Sequence, residues 1–380
     1  MRRRIAARLS AVVLAACAAI VPLALDEQAA HASIGSPAFL PEEHYTGEFS
    51  GPSVIVVNNT YWAFATNTGG LQLPVMHSAN LKTWTTRSAY PDEPPYNSLP
   101  GYFKRYNDAM PVGYAAKWAP SSSRASGRSH VASWEPSVAA VGGRFVEAYA
   151  VPLPNRRRSQ RHCISIATSA HVDGPYKDTS TAPIVCSGDP AGSIDPQVFL
   201  DNNGTPYLIW KNAGVKGSKP TQIFIRQLDA TGTAFAAGSH QHFLLQTSSE
   251  KWEGNLIESP AMISYDGRYY LFYSANLYDT AHYATGYAVC KTALGPCRRI
   301  VRTPLLHANR TISGPGAATP FIDLQGKLRL AYSAWRPGHV GYPTSDNAPC
   351  VAKGTCNQKR LHIATLAVGK GGRLSVRAFG

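Results

Sequence analysis

Five times along the chain a residue-proline pair opens an apolar stretch, a polar turn follows, and a second, aromatic-rich stretch closes the unit. The pairs are Gly51-Pro52, Glu135-Pro136, Asp195-Pro196, Ser259-Pro260 and Thr319-Pro320. The second stretches include Tyr61-Trp62-Ala63-Phe64, Arg144-Phe145-Val146, Tyr207-Leu208-Ile209-Trp210, Tyr269-Tyr270-Leu271-Phe272-Tyr273 and Leu328-Arg329-Leu330-Ala331-Tyr332. Between them lie Asn58-Asn59, Gly142-Gly143, Asn202-Asn203-Gly204, Asp266-Gly267 and Gln325-Gly326, residue types that accept the positive φ of a tight hairpin. The prolines are 84, 60, 64 and 60 residues apart, room for a four-stranded sheet in each unit. This spacing predicts an all-β fold, a five-bladed β-propeller with four-stranded antiparallel blades. Proline has no amide to donate, so each is expected at the first residue of the innermost strand of its blade. The surplus length between the first two units, from Pro91 to Arg128, is expected to be a long loop near the mouth.

The N-terminus reads as a separate segment. Arg2, Arg3 and Arg4 precede an apolar run from Leu9 to Leu25 and the small-x-small sequence Ala30-His31-Ala32, the pattern of a secretory leader over residues 1–32 ahead of a propeller over 33–380. Leu14-Ala15-Ala16-Cys17 is the rival signal, a lipoprotein cleavage box. No later stretch reaches the ~18 apolar residues of a spanning helix, so the expectation is a secreted, soluble monomer. Without the leader the net charge falls from +14 to +12. The positive charge is scattered, and its one dense run, Arg156-Arg157-Arg158 with Arg161, lies between two strands; a solvated loop is expected there and no nucleic-acid partner. Six cysteines remain, an even number in an exported chain, and their order suggests disulfides 163–186, 290–297 and 350–356. No Cys-x-x-Cys pair occurs, and no metal site is expected.

In a propeller the residues beside the five prolines converge on one axial cavity from points far apart in sequence. Among them are three carboxyl groups, Glu135, Asp195 and Glu258, in a chain only 16% charged. Glycoside cleavage needs one carboxylic acid to protonate the leaving oxygen and one carboxylate to activate water or attack. A third can raise the proton affinity of the acid by like-charge repulsion. The alternative is that these acids cap strand ends or pair with arginines. Flat aromatic rings pack on sugar faces, and Trp118, Trp134, Trp210 and Trp252 are candidates; Trp134, next to Glu135, and Trp118 are the expected sugar contacts, whereas Trp210 and Trp62 serve equally as fillers between blades.

Several motifs together resemble glycoside hydrolase family 43, which includes arabinanases, arabinofuranosidases and xylosidases. Ser193-Ile194-Asp195-Pro196-Gln197-Val198-Phe199 looks like the segment carrying the family's pKa-modulating aspartate. Trp252-Glu253-Gly254-Asn255-Leu256-Ile257-Glu258-Ser259-Pro260 looks like the one carrying its general acid. Trp134-Glu135-Pro136-Ser137-Val138 is similar to Trp-Ala-Pro-x-Val, and Ser78-Ala79-Asn80-Leu81-Lys82-Thr83-Trp84 to Ser-x-Asp-Leu-x-x-Trp. The resemblance implies a secreted, inverting hydrolase of arabinose- or xylose-containing plant polysaccharide, with Glu258 as acid. One departure stands out: the family's catalytic base is the aspartate of an Asp-Pro pair in the first blade, where this chain has Gly51-Pro52. Three explanations are open. Glu135 has taken over, Glu48 swings in from three residues upstream, or the propeller binds sugar without cleaving it. A basic scaffold for other macromolecules is a further alternative. The fifth blade has Gly314-Pro315-Gly316-Ala317-Ala318 and lacks the histidine associated with a central ion such as calcium in some members, so no cofactor is expected.

Overall fold

The computed structural model describes residues 48–68, 71–86, 108–111, 113–120, 131–153, 161–215, 217–342 and 357–377, together with the short strands Ala38–Phe39, Ser122–Ser123 and Ser129–His130. Residues 1–32, where a leader is expected, the arginine run 156–158, Cys350 and Cys356, and most of the segment from Pro91 to Arg128 lie outside the described residues.

The hairpin chemistry resolves as expected. Asn58 and Asn59 (φ 49° and 59°), Gly142 and Gly143 (57° and 77°), and Asp266 and Gly267 (50° and 68°) adopt the left-handed pairs that match the right-handed twist of the flanking strands. Blade one is Ser53–Val57, Thr60–Phe64, Val75–Ser78 and Thr85–Thr86; blade three is Ser193–Leu200, Pro206–Asn212, Gln222–Gln227 and His242–Gln246; blade four is Ile257–Tyr265, Arg268–Ala275, Ala284–Cys290 and Cys297–Arg298. Each is a four-stranded antiparallel meander. Blade two has three strands, Trp134–Val141, Arg144–Pro152 and His162–Ser169, and its outer edge carries single bridges, Ile164 to Val185 and Thr168 to Lys177, in place of a fourth. Blade five is Ser313–Ile322, Leu328–Trp335 and Arg360–Val368, and the last of these pairs with both Leu374–Arg377 and the N-terminal Ala38–Phe39. The fold is therefore a five-bladed β-propeller in which the N-terminal strand completes the last blade.

Five apolar clusters fill the spaces between successive blades. Phe64, Val75, Val138 and Tyr149 join blades one and two; Ala139, Ile164, Val198 and Leu208 join two and three; Ile209, Ile223, Met262 and Leu271 join three and four. Phe272, Tyr287, Leu330 and Tyr332 join four and five, and Tyr61, Trp84, Phe321 and Ile363 close the ring from five to one. Near the axis side chains stitch each inner strand to the neighbouring blade. The Val138 amide donates to Ser53 Oγ (3.2 Å), the Val198 amide to Ser137 Oγ (3.0 Å), the Met262 amide to Gln197 Oε1 (2.6 Å) and the Ala317 amide to Ser274 Oγ (2.7 Å). Thr319 Oγ1 then donates to the Pro52 carbonyl (2.6 Å).

Pro52 directly precedes its strand, Ser53–Val57, but the other four prolines do not open theirs. Pro136, Pro196 and Pro260 sit inside the inner strands at breaks in register, between Trp134 and Ser137, Ile194 and Gln197, and Glu258 and Ala261, while Pro320 lies opposite Leu330. The physical reason is that an inner strand is a sheet edge with a bulge, and both settings spare the missing amide. Two of the expected disulfides are formed, Cys163 to Cys186 and Cys290 to Cys297.

Candidate active site

The bulges aim the site. Gly51 (φ 60°), just ahead of the first inner strand, and Glu135 (45°), Asp195 (55°), Ser259 (47°) and Ala317 (52°), one in each of the other four, are all left-handed. For a residue with a side chain that conformation costs on the order of 1–3 kcal/mol, and it persists where surrounding structure enforces it. Here it turns each residue toward the axis, where Gly51, Glu135, Asp195, Ser259, Ala317 and Thr319 line a cavity of about 20 Å³. That is room for about one water molecule.

Two of the three expected carboxyl groups, Glu135 and Asp195, line this cavity. Glu258 lies one residue before the left-handed Ser259, and its carboxylate leaves the bulge to accept the ammonium of Lys211 at 2.9 Å, a pair with little solvent access on either side. Asp195 Oδ2 accepts the Ser259 amide at 2.9 Å and is thereby held against the backbone of the acidic segment. Gly51 is where Glu135 matters: a Cβ added there would lie 2.6 and 2.9 Å from the two carboxylate oxygens of Glu135. The Glu135 carboxyl fills the space that a side chain at position 51 would occupy. Glu48 is engaged elsewhere, accepting the Tyr342 hydroxyl and the Lys359 amide, both at 2.8 Å.

Burial and crowding raise the proton affinity of the site. Glu135 is pushed up to about 8 by burial and then by the charges of Asp195 and Glu258, against the pull of Lys359. Asp195 is pushed up to about 6 by burial, with Lys211 opposing and Glu258 adding to the rise, and burial lifts Glu48 to about 7. Burial would lower the Lys211 ammonium, but Glu258 and Asp195 outweigh it and hold the lysine charged. Four carboxyl groups against two ammonium groups, Lys211 and Lys359, leave the cluster holding a proton near neutral pH.

The aromatic expectations divide. Trp134 stacks on His162, centroids 3.6 Å apart, one residue from Glu135. Trp118 packs on the core between blades one and two and donates its indole N–H to Ser180 Oγ at 2.9 Å; it is not among the residues lining the axial cavity. Trp210 is buried, and Trp252 stacks on Tyr273 and bonds the Arg302 carbonyl, so both fill space within and between blades. Two aromatic rings are open among the described residues, Phe243 at 48% and Tyr278, 51% exposed beside Leu277 at 55% on the turn after Arg268–Ala275. Tyr278 is the one near the site. Its hydroxyl is raised by burial and then by Asp279 and Glu258, which sets it within reach of the acidic cluster's field.

Sequence reasoning missed Lys211, Lys359 and Tyr283. Lys211 carries a signal, a lysine ending the apolar run Tyr207-Leu208-Ile209-Trp210 in a buried strand, where an ammonium requires a partner. Lys359, flanked by Gln358 and Arg360, reads as surface charge and carries none. The glycine and alanine run Gly314 to Ala318 brings no side-chain donor to the axis, and among the described residues no three His, Cys, Asp or Glu side chains are arranged to hold a metal.

The profile of glycosyl hydrolases family 43 matches residues 45–357. The chain belongs to glycosyl hydrolase family 43. Among curated family relatives, the probable arabinan endo-1,5-alpha-L-arabinosidase A of Emericella nidulans is 29% identical over 209 residues, 50% of this chain and 61% of the relative. The arabinoxylan arabinofuranohydrolase of Bacillus subtilis is 26% identical over 234 residues, 58% of this chain and 40% of the relative. The matched region thus spans less than two thirds of each relative's length. Among solved structures, a thermostable family-43 glycoside hydrolase superposes with a TM-score of 0.68 at 24% identity, covering 89% of this chain and 95% of that one. The family 43 endo-arabinanase of Bacillus licheniformis gives 0.59 at 20% identity, covering 89% and 100%. Both share the propeller fold.

Proposed function

We propose that this family 43 protein is a secreted, inverting glycoside hydrolase of arabinose- or xylose-containing polysaccharide, with Glu258 as general acid, Glu135 as general base and Asp195 supplying negative charge beside the acid. The observation that carries the reading is the complementarity of positions 51 and 135: the carboxyl group absent from blade one is replaced, in the same space, by one reaching across from blade two. Glu48, tied to Tyr342 and Lys359, is the less suitable replacement. Arabinan and arabinoxylan, named for the relatives, support the substrate class.

In this mechanism Glu258 gives its proton to the glycosidic oxygen as that bond breaks, and Glu135 takes a proton from the water that attacks the anomeric carbon on the opposite face. Glu258 ends as a carboxylate beside Lys211 and Glu135 as a neutral acid. Exchange with solvent restores the starting state. The leader at residues 1–32 would deliver the enzyme outside the cell, where N-terminal sequencing of the mature protein should begin after Ala32.

Incubation with aryl arabinofuranoside, aryl xyloside, arabinan and arabinoxylan tests the proposal, with the anomer first formed read by proton NMR. Release of a pentose or pentose oligomer of inverted configuration is expected; retained configuration, or no product from any of them, defeats the reading. Glu258→Gln should lose ~10²–10⁴ in rate on substrates with poor leaving groups and far less on activated aryl glycosides, whereas Glu135→Ala should lose comparably on both. The rival reading, a carbohydrate-binding propeller without turnover, is favoured by Gly51 itself. It predicts saturable oligosaccharide binding by calorimetry with no reducing sugar released.

A further inference from the structure

The acid and base roles leave a buried ammonium without a task. Lys359 lies at the seam between blades five and one: its amide donates to Glu48 (2.8 Å), and its carbonyl accepts the amide of Phe49 (2.7 Å), two residues before Gly51. The residue is 1% exposed. Its Nζ sits 4.5 Å from the ring centre of Tyr283, 5.5 Å from Trp335 and 5.6 Å from Tyr278, within the distance at which ring faces attract a cation. Among the described residues no carboxylate pairs with it within 4.0 Å. An aromatic box therefore fixes the ammonium in place without committing its charge to one partner. The Tyr283 hydroxyl is 3.3 Å from Ser259 Oγ, which ties the box to the axial cavity.

The charges facing Lys359 are Glu48, Glu135, Glu258 and Asp279. Those facing Glu135 are Asp195, Glu258 and Lys359, with the Ser259 hydroxyl, and Lys211 acts from further off. The two lysines serve different carboxyl groups. Lys211 donates to Glu258 at 2.9 Å. Lys359 favours charge on Glu135, the form able to accept a proton from water, against the burial and the neighbouring carboxylates that favour the protonated form.

We propose that Lys359 is a positioning residue for Glu135, its boxed ammonium opposing the burial and carboxylate crowding that favour the protonated form of Glu135. The inference rests on the reading of Glu135 as base. Its test is the pH dependence of kcat/KM on an aryl pentoside with a good leaving group, where the acid limb reports the base. In Lys359→Met the acid limb moves to higher pH, so that below the limb kcat/KM falls ~10-fold for each pH unit the limb has moved and recovers in alkali. Lys359→Arg leaves the limb where it is. A Met variant that loses the same factor at every pH, or none, overturns the proposal.

A second measurement needs neither turnover nor the folding of Lys359→Met. Titration of the Lys359 13Cε resonance in the unsubstituted protein and in Glu135→Gln should place loss of the ammonium proton at lower pH in the variant, because an anionic neighbour has gone. An unchanged titration overturns the proposal. If the protein hydrolyses no pentoside at all, the functional reading fails, and the resonance still decides whether Lys359 and Glu135 share charge.

Discussion

A single carboxyl group separates this site from one built on an aspartate in blade one, and its relocation makes a specific expectation at residue 51. Substituting Gly51→Asp does not simply supply a base, because the new Cβ would meet the Glu135 carboxyl at 2.6–2.9 Å and displace it. It would also add a negative charge to a cluster whose members are already pushed up to about 6, 7 and 8. Gly51→Asp alone should therefore lower kcat/KM. Glu135→Ala should lower it by ~10²–10⁴, the usual worth of a positioned base. The double variant Gly51→Asp with Glu135→Ala returns the carboxylate to blade one and the small residue to blade two, and should exceed Glu135→Ala by at least ~10-fold in kcat/KM, a modest share of what a positioned base is worth. A double variant no better than Glu135→Ala would show that the two positions are not interchangeable sources of one group. The backbone at 51 permits the test, since Asp195 already holds an aspartate at φ 55° in the equivalent place in blade three.

At the scale of the inner strand, the bulge that aims each residue is a local cost met by the packing of the blade. Asp195→Ala and Asp195→Gly remove the same carboxylate, but only glycine takes φ 55° without steric penalty. Asp195→Gly should be the more stable of the two by ~1 kcal/mol, read from urea midpoints at constant slope; equal midpoints would mean that the strand relaxes out of the left-handed region when the carboxylate is lost. This element also shows how far sequence carries. The residue-proline pairs revealed the number of blades, the hairpin turns and the convergence of Glu135 and Asp195, because backbone restrictions at Pro, Gly and Asn act locally. The same pairs suggested that proline opens the strand. Only Pro52 heads its strand; Pro136, Pro196 and Pro260 lie within theirs, because bulges on an edge strand tolerate proline in the interior, and nothing in the five pairs records where a register slips. Lys359 was illegible for a related reason: its burial depends on Trp335 arriving from another strand and on Tyr278 and Tyr283 arriving from the connection between two strands of blade four, contacts that leave no periodicity in Gln358-Lys359-Arg360. Trp118, in the segment expected to form a long loop, packs partly buried against the blade-one and blade-two core, a contact its local sequence does not record.

The ring as a whole holds this acidic cluster together, and its stability should record the strain. Asp195, Glu48 and Glu135 are raised to about 6, 7 and 8, chiefly by burial, and Asp108, buried between blades one and two, is raised to about 6 for the same reason. Each binds its proton more tightly folded than unfolded, so each contributes stability that is whole below the ordinary carboxyl value and is lost as pH rises through the folded one. That window opens at 3.8 for the aspartates and 4.5 for the glutamates and closes at about 8. The carboxylates lowered by hydrogen bonds and lysine or arginine partners, Asp189, Asp229 and Asp323, act with the opposite sign, but below their ordinary value of 3.8, outside the window. Lys359, lowered to about 8 by burial, costs stability up to that pH and relieves it only above. Acidification also charges the histidines of a chain that already carries +14, and the resulting self-repulsion opposes the trend in the wild-type melting curve. A comparison with Glu135→Gln removes that complication, because the charge elsewhere is unchanged. At pH 5.5 Glu135 is protonated and the two proteins should melt close together. At pH 8.5 the wild type must either ionise Glu135 in the crowded ring or hold its proton against solution, and Glu135→Gln should melt several degrees higher by calorimetry. A gap that fails to widen between those pH values would mean that the closed propeller accommodates the Glu135 charge at no cost, and with it the case for a shared proton on the axis would fail.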